Sequence, residues 1–377
     1  MALVLIAGLL ATATVVGLVI LRPTGEPRGS IRGLGFAAEV YEARVEAVTE
    51  APCPGQPGGQ VSCRRLAFQV TEGPGAGRLV SQEFVVSRTT PDLEPGDGVL
   101  LAYDPAAEEG FRYRYFDRDR SSLLLWLALF FAIAVVVLGR LRGLAALAGL
   151  AASFLVILLF ILPAVLDGRD PLAVAIVGSA AIAFLALYLA HGFTTMTTVA
   201  LLGTLGALAV TAILAGVFVG LADVSGFATE EALVVEIGAA RIDLRGIVLG
   251  GVVIGALGAI DDMTVTQASA VWELRHANPG MSRRTLLRAG LRIGRDHVAS
   301  TVNTLALAYA GASMPVLLLL VLSRQSLETV TSGEVIATEI VRTLVGSLGL
   351  VAAVPLSTWL ASLAVPGPAV DREPPPS

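Results

Sequence analysis

The 377-residue chain has no lysine, three histidines, two cysteines and only 15% charged residues, where an ordinary soluble domain carries roughly 25%. Each shortage excludes something. So little charge argues against a soluble globular enzyme. His191, His276 and His297 are scattered along the chain and have no clustered Cys or Glu beside them, so they make no catalytic metal set. All 26 basic residues are arginine and the net charge is −5. No basic stripe with interleaved aromatics is present, which argues against nucleic acid as a partner. No HExxH, no GxSxG and no Walker A or GxGxxG following a strand occurs, so the residues for the commonest hydrolytic and nucleotide chemistries are missing. Gly258-Ala-Ile-Asp261 also departs from the GxGD pattern of intramembrane aspartyl proteolysis. The chain reads as a non-enzyme without a cofactor.

What is present is apolar: 55% of the residues are hydrophobic and the mean hydropathy is +0.76. The apolar residues collect into uncharged blocks of about 20, long enough to cross roughly 30 Å of hydrocarbon. They fall at 2–21, 122–139, 143–165, 171–190, 197–221, 245–266, 298–322 and 336–364. This predicts an α-helical polytopic membrane protein of about eight spans. The first block lacks a basic leader and a cleavage site, so it is expected to remain as an anchor.

Residues 22–120 are different, with 12 Arg, 15 acidic residues and many Gly and Pro. Short β-prone runs at 65–70, 83–87 and 111–116 are punctuated by Pro54-Gly55, Gly58-Gly59, Gly73-Pro74-Gly75 and Pro95-Gly96-Asp97-Gly98. That spacing predicts a small antiparallel sheet or barrel. The expected organisation is an anchor at 1–21, a β domain at 22–120, a seven-helix domain at 121–365 and a disordered Pro-rich tail at 366–377.

Arginine placement sets the expected orientation. Arg275, Arg283, Arg284, Arg288, Arg292 and Arg295 crowd one loop at 273–297, and Arg140 and Arg142 another, an even number of spans away. Both are read as cytoplasmic, as are both termini. The acidic connections 166–170 and 222–245 then face outward. Arg22, Arg28 and Arg32 oppose this assignment and are outnumbered. The β domain becomes extracytoplasmic, where thiols are oxidised, so Cys53 and Cys63 are expected to form a disulfide, with two free thiols as the alternative.

Ionisable residues inside a bilayer are costly and mark where function is sought. Asp261 and Asp262 follow Gly250, Gly251, Gly255 and Gly258 in the sixth span, about 22 Å along it. Two readings stand side by side: an ion or proton site with Thr264 and Thr266 at a glycine-permitted helix break, or Gly258 ending the span and an Asp capping a second helix over 263–274. In the seventh span Asp296, Ser300, Asn303, Leu307, Ala310, Gly311 and Met314 share one helical face. Its polar part is expected to face the bundle interior, as helix packing or as a pathway lining, and Gly311 with Pro315 permits a kink. In the eighth span Glu339 and Arg342 stand at i, i+3, which reads as an ion pair or as an anion anchor. The repeated Gly203/Gly206, Gly255/Gly258 and Gly346/Gly349 spacing suits close helix approach. In so Gly-rich a chain its recurrence needs no inverted repeat.

The stretches GALGAIDDMTVTQASAVWEL (255–274), GRDHVASTVNTLALAYAGASMP (294–315) and EVIATEIVRTLVGSLGLVAAVPLSTWLA (334–361) resemble the YibE/F-like family of bacterial multipass membrane proteins. The motif positions fall on Asp261, Asp262, Asp296, Asn303, Glu339 and Arg342. The chain departs from the pattern at the Asp pair, where one acidic residue among small ones would be expected. The resemblance implies a bacterial inner-membrane protein of the kind labelled permeases. The leading expectation is thus a permease or channel-like transporter of an ion or small solute. Asp262 and Asn303 would coordinate, Asp261 and Asp296 support, His297 accept protons and Arg342, with Glu339 beside it in the candidate site, anchor the outer side; the β domain would be a vestibule, gate or cap. The alternative is a receptor, scaffold or assembly factor whose β domain binds an envelope protein. The lipid bilayer, and a second copy of the chain, complete the expected partners.

Overall fold

A computed structural model describes residues 2–25, 39–53, 62–88, 90–238, 242–322, 324 and 326–366. Arg28, Arg32, the Pro54-Gly55 and Gly58-Gly59 turns, Arg241 and all but the first residue of the expected 366–377 tail lie outside the described residues. The chain divides into two compact units, Ser30–Ala134 and Met1–Gly29 with Val135–Ser377.

The first unit holds five strands: β1 (Glu39–Pro52), β2 (Ser62–Val70), β3 (Leu79–Val85), β4 (Gly98–Tyr103) and β5 (Tyr113–Arg118). They form one antiparallel sheet in the order β3-β2-β1-β4-β5, as the turn spacing predicted. Alternation along β2 buries Leu66, Phe68 and Val70 on one side, where they meet Val45, Val99, Leu101 and Tyr113. A bulge between Val45 and Ala47 resets the pairing of β1 with β2. The run expected at 83–87 starts four residues earlier, and β1 and β4 are additional strands.

The sheet curls into a half-barrel whose edges are tied by one side chain. Gln82 of β3 donates from Nε2 to the Tyr113 carbonyl (2.7 Å) and accepts at Oε1 from the Tyr115 N–H (2.9 Å). Its amide thereby stands in for a ladder between β3 and β5 and satisfies two backbone groups that neither edge could otherwise pair. Cys53 and Cys63 form the expected disulfide, with Cα atoms 4.9 Å apart. It closes the β1–β2 connection just past the Ala51–Cys63 pair.

The second unit is a helical bundle. Its elements are α1 (Ala2–Ile20), the later part of α2 (Ser121–Val156), a π-turn (Ile157–Ile161), α3 (Leu162–Leu166), α4 (Pro171–His191), α5 (Thr195–Leu221), α6 (Glu230–Gly238), α7 (Leu244–Ala277), α8 (Arg283–Ala312), α9 (Met314–Leu322), α10 (Leu327–Ser332) and α11 (Glu334–Ala364). Side-chain caps explain the starts. Asp170 accepts from Ala173 N, Thr194 from Thr197 N, Asp243 from Gly246 N and Ser282 from Thr285 N, each contributing about 1 kcal/mol.

Six described helices are long and apolar enough to cross a membrane, and α8 with α9, bent by 65°, makes a seventh. The bend falls at Ser313, between Gly311 and Pro315 as expected. The segment Ser121–Leu166 has 46 residues, about 69 Å if straight and more than twice a bilayer's hydrocarbon. It is not straight. Arg140 has φ 52° and ψ −131°, and a side chain on Gly143 would meet the Val135 carbonyl. Residues eight apart in a straight helix are about 12 Å apart, so the chain turns back at Arg140.

The bundle is built on α5, α7 and α11. Gly203 of α5 faces Ser357 of α11, and Gly349 of α11 faces Thr211 of α5, so these two helices run antiparallel with their backbones close. Ala256 of α7 lies by Gly346 and Gln267 of α7 bonds Thr358 (2.9 Å), which makes α7 and α11 parallel. Of the glycines in the repeated motif, Gly203 and Gly349 are at tight interfaces while Gly258 meets nothing within 4 Å. Two expectations needed correction. The region 273–297 is mostly helix, with a turn only at Asn278–Ser282, and Arg275 is folded into that turn, donating from Nη1 to the Pro279 (2.9 Å) and Met281 (2.7 Å) carbonyls.

Gly349→Val should therefore destabilise the bundle by about 3 kcal/mol or more through overpacking, whereas Gly258→Ala should be neutral or stabilising by up to about 1 kcal/mol. Thermal unfolding of the two purified variants in detergent checks the contrast, which equal effects would refute. In the β unit, Gln82→Ala should cost about 1–3 kcal/mol, and Cys53→Ser with Cys63→Ser about 3 kcal/mol. Hydrogen exchange on the full chain should show faster exchange at Tyr115 in the first variant and across β1 and β2 in the second.

Candidate functional site

The Asp pair lies in an unbroken helix, because α7 runs from Leu244 to Ala277 without interruption. Neither a break at Gly258 nor a cap by Asp261 or Asp262 exists. Helical backbone continues because nothing at Gly258 or Gly255 removes an i to i−4 bond, and the only cap is Asp243 at the start. Adjacent helical residues point about 100° apart, and the two carboxylates accordingly differ. Asp261 turns toward α5, where the Thr204 hydroxyl donates to its Oδ1 (3.3 Å). Thr204 Oγ1 also lies 2.7 Å from the Thr264 hydroxyl, which can donate its one proton to it or to the Asp261 carbonyl (2.9 Å). Thr204 and Thr264 are fully buried. Asp262 turns outward and is exposed.

The polar face of α8 is also placed differently from expectation. Asp296, Ser300, Asn303, Leu307, Ala310, Gly311 and Met314 are all exposed, and His297 is half-buried. The inward face of α8 is instead the small one. Gly290 packs on Thr358 and Gly294 on Val354 and Gln267, and close approach there rotates the polar residues away from the bundle. Asp262 and Asn303 thus lie on the surface of the single chain, and Asp261 is the member of the set held inside.

A second cluster stands at the α6 end of the bundle. Glu339 and Arg342 form the expected ion pair on α11, with Arg342 Nη1 donating to Glu339 Oε1 (2.6 Å). The pair adjoins two cavities. One of about 390 Å³ lies between α6, α7 and α11, with Thr229, Glu231, Gly251, Thr338, Glu339 and Arg342 in its wall. The other, about 240 Å³, lies between α8, α9 and α11 and includes Tyr309, Ser313 and Glu339. Glu339 belongs to both walls. Gly251 lies beside the guanidinium: a Cβ there would sit 3.8 Å from Arg342 Nη2, an ordinary contact distance. Arg342 Nε is buried without a hydrogen-bond partner.

The roof of the larger cavity is clamped to α11. Glu334, at the start of that helix, accepts at Oε1 from the Ser225 N–H (2.7 Å) and Gly226 N–H (2.7 Å), and Ser225 Oγ donates to both carboxylate oxygens (2.8 and 2.9 Å). Gly226 needs its φ of +87° to pass Leu244. Thr204 and Tyr309 were not singled out from the sequence, Glu231 was read only as one charge of the acidic 222–245 connection, and Glu334 only as a polar residue at the start of the eighth span. A Thr among apolar residues on the helix before the Asp pair was a signal for the first, whereas the contacts of Glu231 and Glu334 follow from the loop path. Among the described residues no group of three or more His, Cys, Asp or Glu could hold a metal ion.

Thr204→Val should leave Asp261 without its hydroxyl donor and cost about 1–3 kcal/mol of bundle stability, while Asp262→Asn, at an exposed position, should change stability by less than about 0.5 kcal/mol. Unfolding midpoints of the two variants in the same detergent would contradict this asymmetry if they fell equally. A sequence-family model described as "YibE/F-like protein" matches residues 127–367. No curated protein and no solved structure matches the chain.

Proposed function

The chain belongs to the YibE/F-like family, and from that premise we propose that this multi-helix membrane protein is a bacterial inner-membrane permease for a small solute or ion. The observation that carries the reading is the Glu339–Arg342 ion pair, set between two cavities in a largely apolar bundle. Charge at such a depth is expensive. A structural pair would be expected to be packed around, whereas this one keeps a buried Nε unpaired and borders space on both sides. Counting the segment broken at Arg140 as two spans and α8 with α9 as one gives eight, with both termini cytoplasmic and the β domain and α6 outside.

On this reading Arg342 and Glu339 form the solute-facing charges near the outer side. Asp261, about 15 Å further along α7 from Gly251, is the deeper carboxylate, held by Thr204 and Thr264. A carboxylate in that position can exchange a proton or hold a cation as the helices shift. The assignment of Asp262 and Asn303 as coordinating residues passes to Asp261, which among the described residues is the one of the three with a side-chain partner inside the bundle.

Reconstituted into proteoliposomes, the protein should dissipate a gradient of at least one member of a panel of ions and small organic solutes. Arg342→Gln, and separately Asp261→Asn, should lower that flux about tenfold or more, the loss of one charge-assisted contact, while Asn303→Ala should leave it within about twofold. Absence of flux across the panel, or wild-type flux in both charge variants, would reject the permease reading in favour of the scaffold.

A further inference from the structure

The larger cavity has a chemistry specific enough to name the class of solute that fits it. Its volume, about 390 Å³, lies within the 300–1,000 Å³ of small-molecule sites. Most of the wall is apolar, formed by Ala, Val, Leu and Ile side chains of α6, α7 and α11. Three ionisable residues enter it: Arg342, Glu339 and Glu231.

The guanidinium is only partly used. Nη1 donates to Glu339, Nε is buried with no partner, and Nη2 makes no hydrogen bond among the described residues and lies toward Gly251 in the cavity wall. Nη2 thus offers its N–H groups to an acceptor in the cavity, and a guanidinium holds a carboxylate through charge-assisted N–H···O bonds.

An anion alone is a poor match for the rest of the wall. Two carboxylates against one guanidinium leave a formal charge of −1, and Glu231 has no ion-pair partner among the described residues. A solute bearing a carboxylate and an ammonium group satisfies both ends: the carboxylate lies on Nη2 of Arg342, and the ammonium meets Glu231 and the outer side of Glu339. The apolar wall then takes a short aliphatic group. A bare acid meets the unbalanced carboxylates, and a bare amine leaves Nη2 without an acceptor.

We infer that the cavity between α6, α7 and α11 is a binding site for a small zwitterion, an α-amino acid or a close analogue, with Arg342 as the carboxylate donor and Glu231 as the ammonium acceptor. This rests on the permease reading for its physiological meaning but not for its chemistry, because binding is measured without transport. The roof over this site is the α6 segment, tied at its base by Glu334 to Ser225 and Gly226.

The test is calorimetric binding to the full-length protein in detergent, using glycine, L-alanine and L-leucine beside the matched half-molecules acetate, propionate, ethylamine and isoamylamine. At least one amino acid should bind about tenfold or more tightly than either of its halves. Arg342→Gln should abolish binding. Glu231→Gln, on an exposed wall where folding is not at stake, should weaken the amino acid while leaving or improving the acid, so that the preference falls by about tenfold. Should Arg342→Gln not fold, the charge-neutral pair Arg342→Gln with Glu339→Gln takes its place. Equal binding of acid and amino acid would make this an anion site and overturn the inference, as would binding of the amine alone, no binding of any amino acid, or a Glu231→Gln variant with unchanged preference. Binding without flux overturns the permease reading and leaves the zwitterion site standing. Flux that depends on Arg342, with no amino acid bound, does the reverse.

Discussion

Everything in the helical unit depends on how closely α5 and α11 approach. Gly203 against Ser357 and Gly349 against Thr211 remove the side chains that would hold the two backbones apart. In hydrocarbon there is no hydrophobic drive between helices, so close packing and interhelical hydrogen bonds must supply the association. The hydroxyls at the contact do not demand partners across it, since Thr211 bonds back to Ala207 O (2.9 Å) and Ser357 to Ala353 O (2.8 Å). The interface can therefore be both polar in composition and dry.

Once those two helices are fixed, the position of α7 follows, and with it the site. α7 is antiparallel to α5 and parallel to α11, so residues in its middle meet the middle of both. Thr204 then finds Asp261 and Thr264 on one side, and Thr358 finds Gln267 on the other. Nearer the start of α7 and α11 the small residues give way to Ile247, Val248, Val335 and the Glu339–Arg342 pair, and the space between the helices is filled by the short α6 in place of a full-length neighbour. A nine-residue helix cannot fill what a span would. The cavity is thus a consequence of the connection from α5 to α7 folding back over the bundle, with Glu334 holding it down.

Much of this organisation was legible in the sequence. Blocks of about 20 uncharged residues name helices because no other backbone form satisfies its own hydrogen bonds over that length in hydrocarbon. Pro-Gly and Gly-rich punctuation named a β region. The break at Ser313 followed from Gly311 and Pro315, the ion pair from i, i+3 spacing, and the disulfide from the company of its cysteines. What failed was azimuth. A helical wheel says that Asp296, Ser300 and Asn303 share a face, but not which way the face points, and the usual rule that polar faces turn inward gave the wrong answer here. On α8 the glycines at 290 and 294 decide the rotation, because a backbone can approach a neighbour only where side chains are absent. In this chain the small residues were the better guide to the interior. The half-barrel's closure was illegible for another reason: Gln82 reaches a strand 31 residues away, and nothing local marks it.

The Asp pair shows how much one helical step is worth. α7 has 34 residues, about 51 Å of helix, more than the roughly 30 Å of a bilayer's hydrocarbon. About 20 residues counted from Leu244 are enough for such a layer, a count that ends shortly after Asp261 and Asp262 and leaves Arg275 and His276 in the last turn of the helix. Asp262 is exposed on the surface of the single chain. Asp261, one position earlier and rotated inward, is half-buried and accepts from Thr204 instead. Two residues identical in type and adjacent in sequence therefore carry different constraints: the inner one is held by a hydroxyl on the neighbouring helix, and the outer one has no such contact among the described residues. Any motion that slides α5 along α7 would exchange the partner of Asp261 while leaving Asp262, which faces away from α5, untouched.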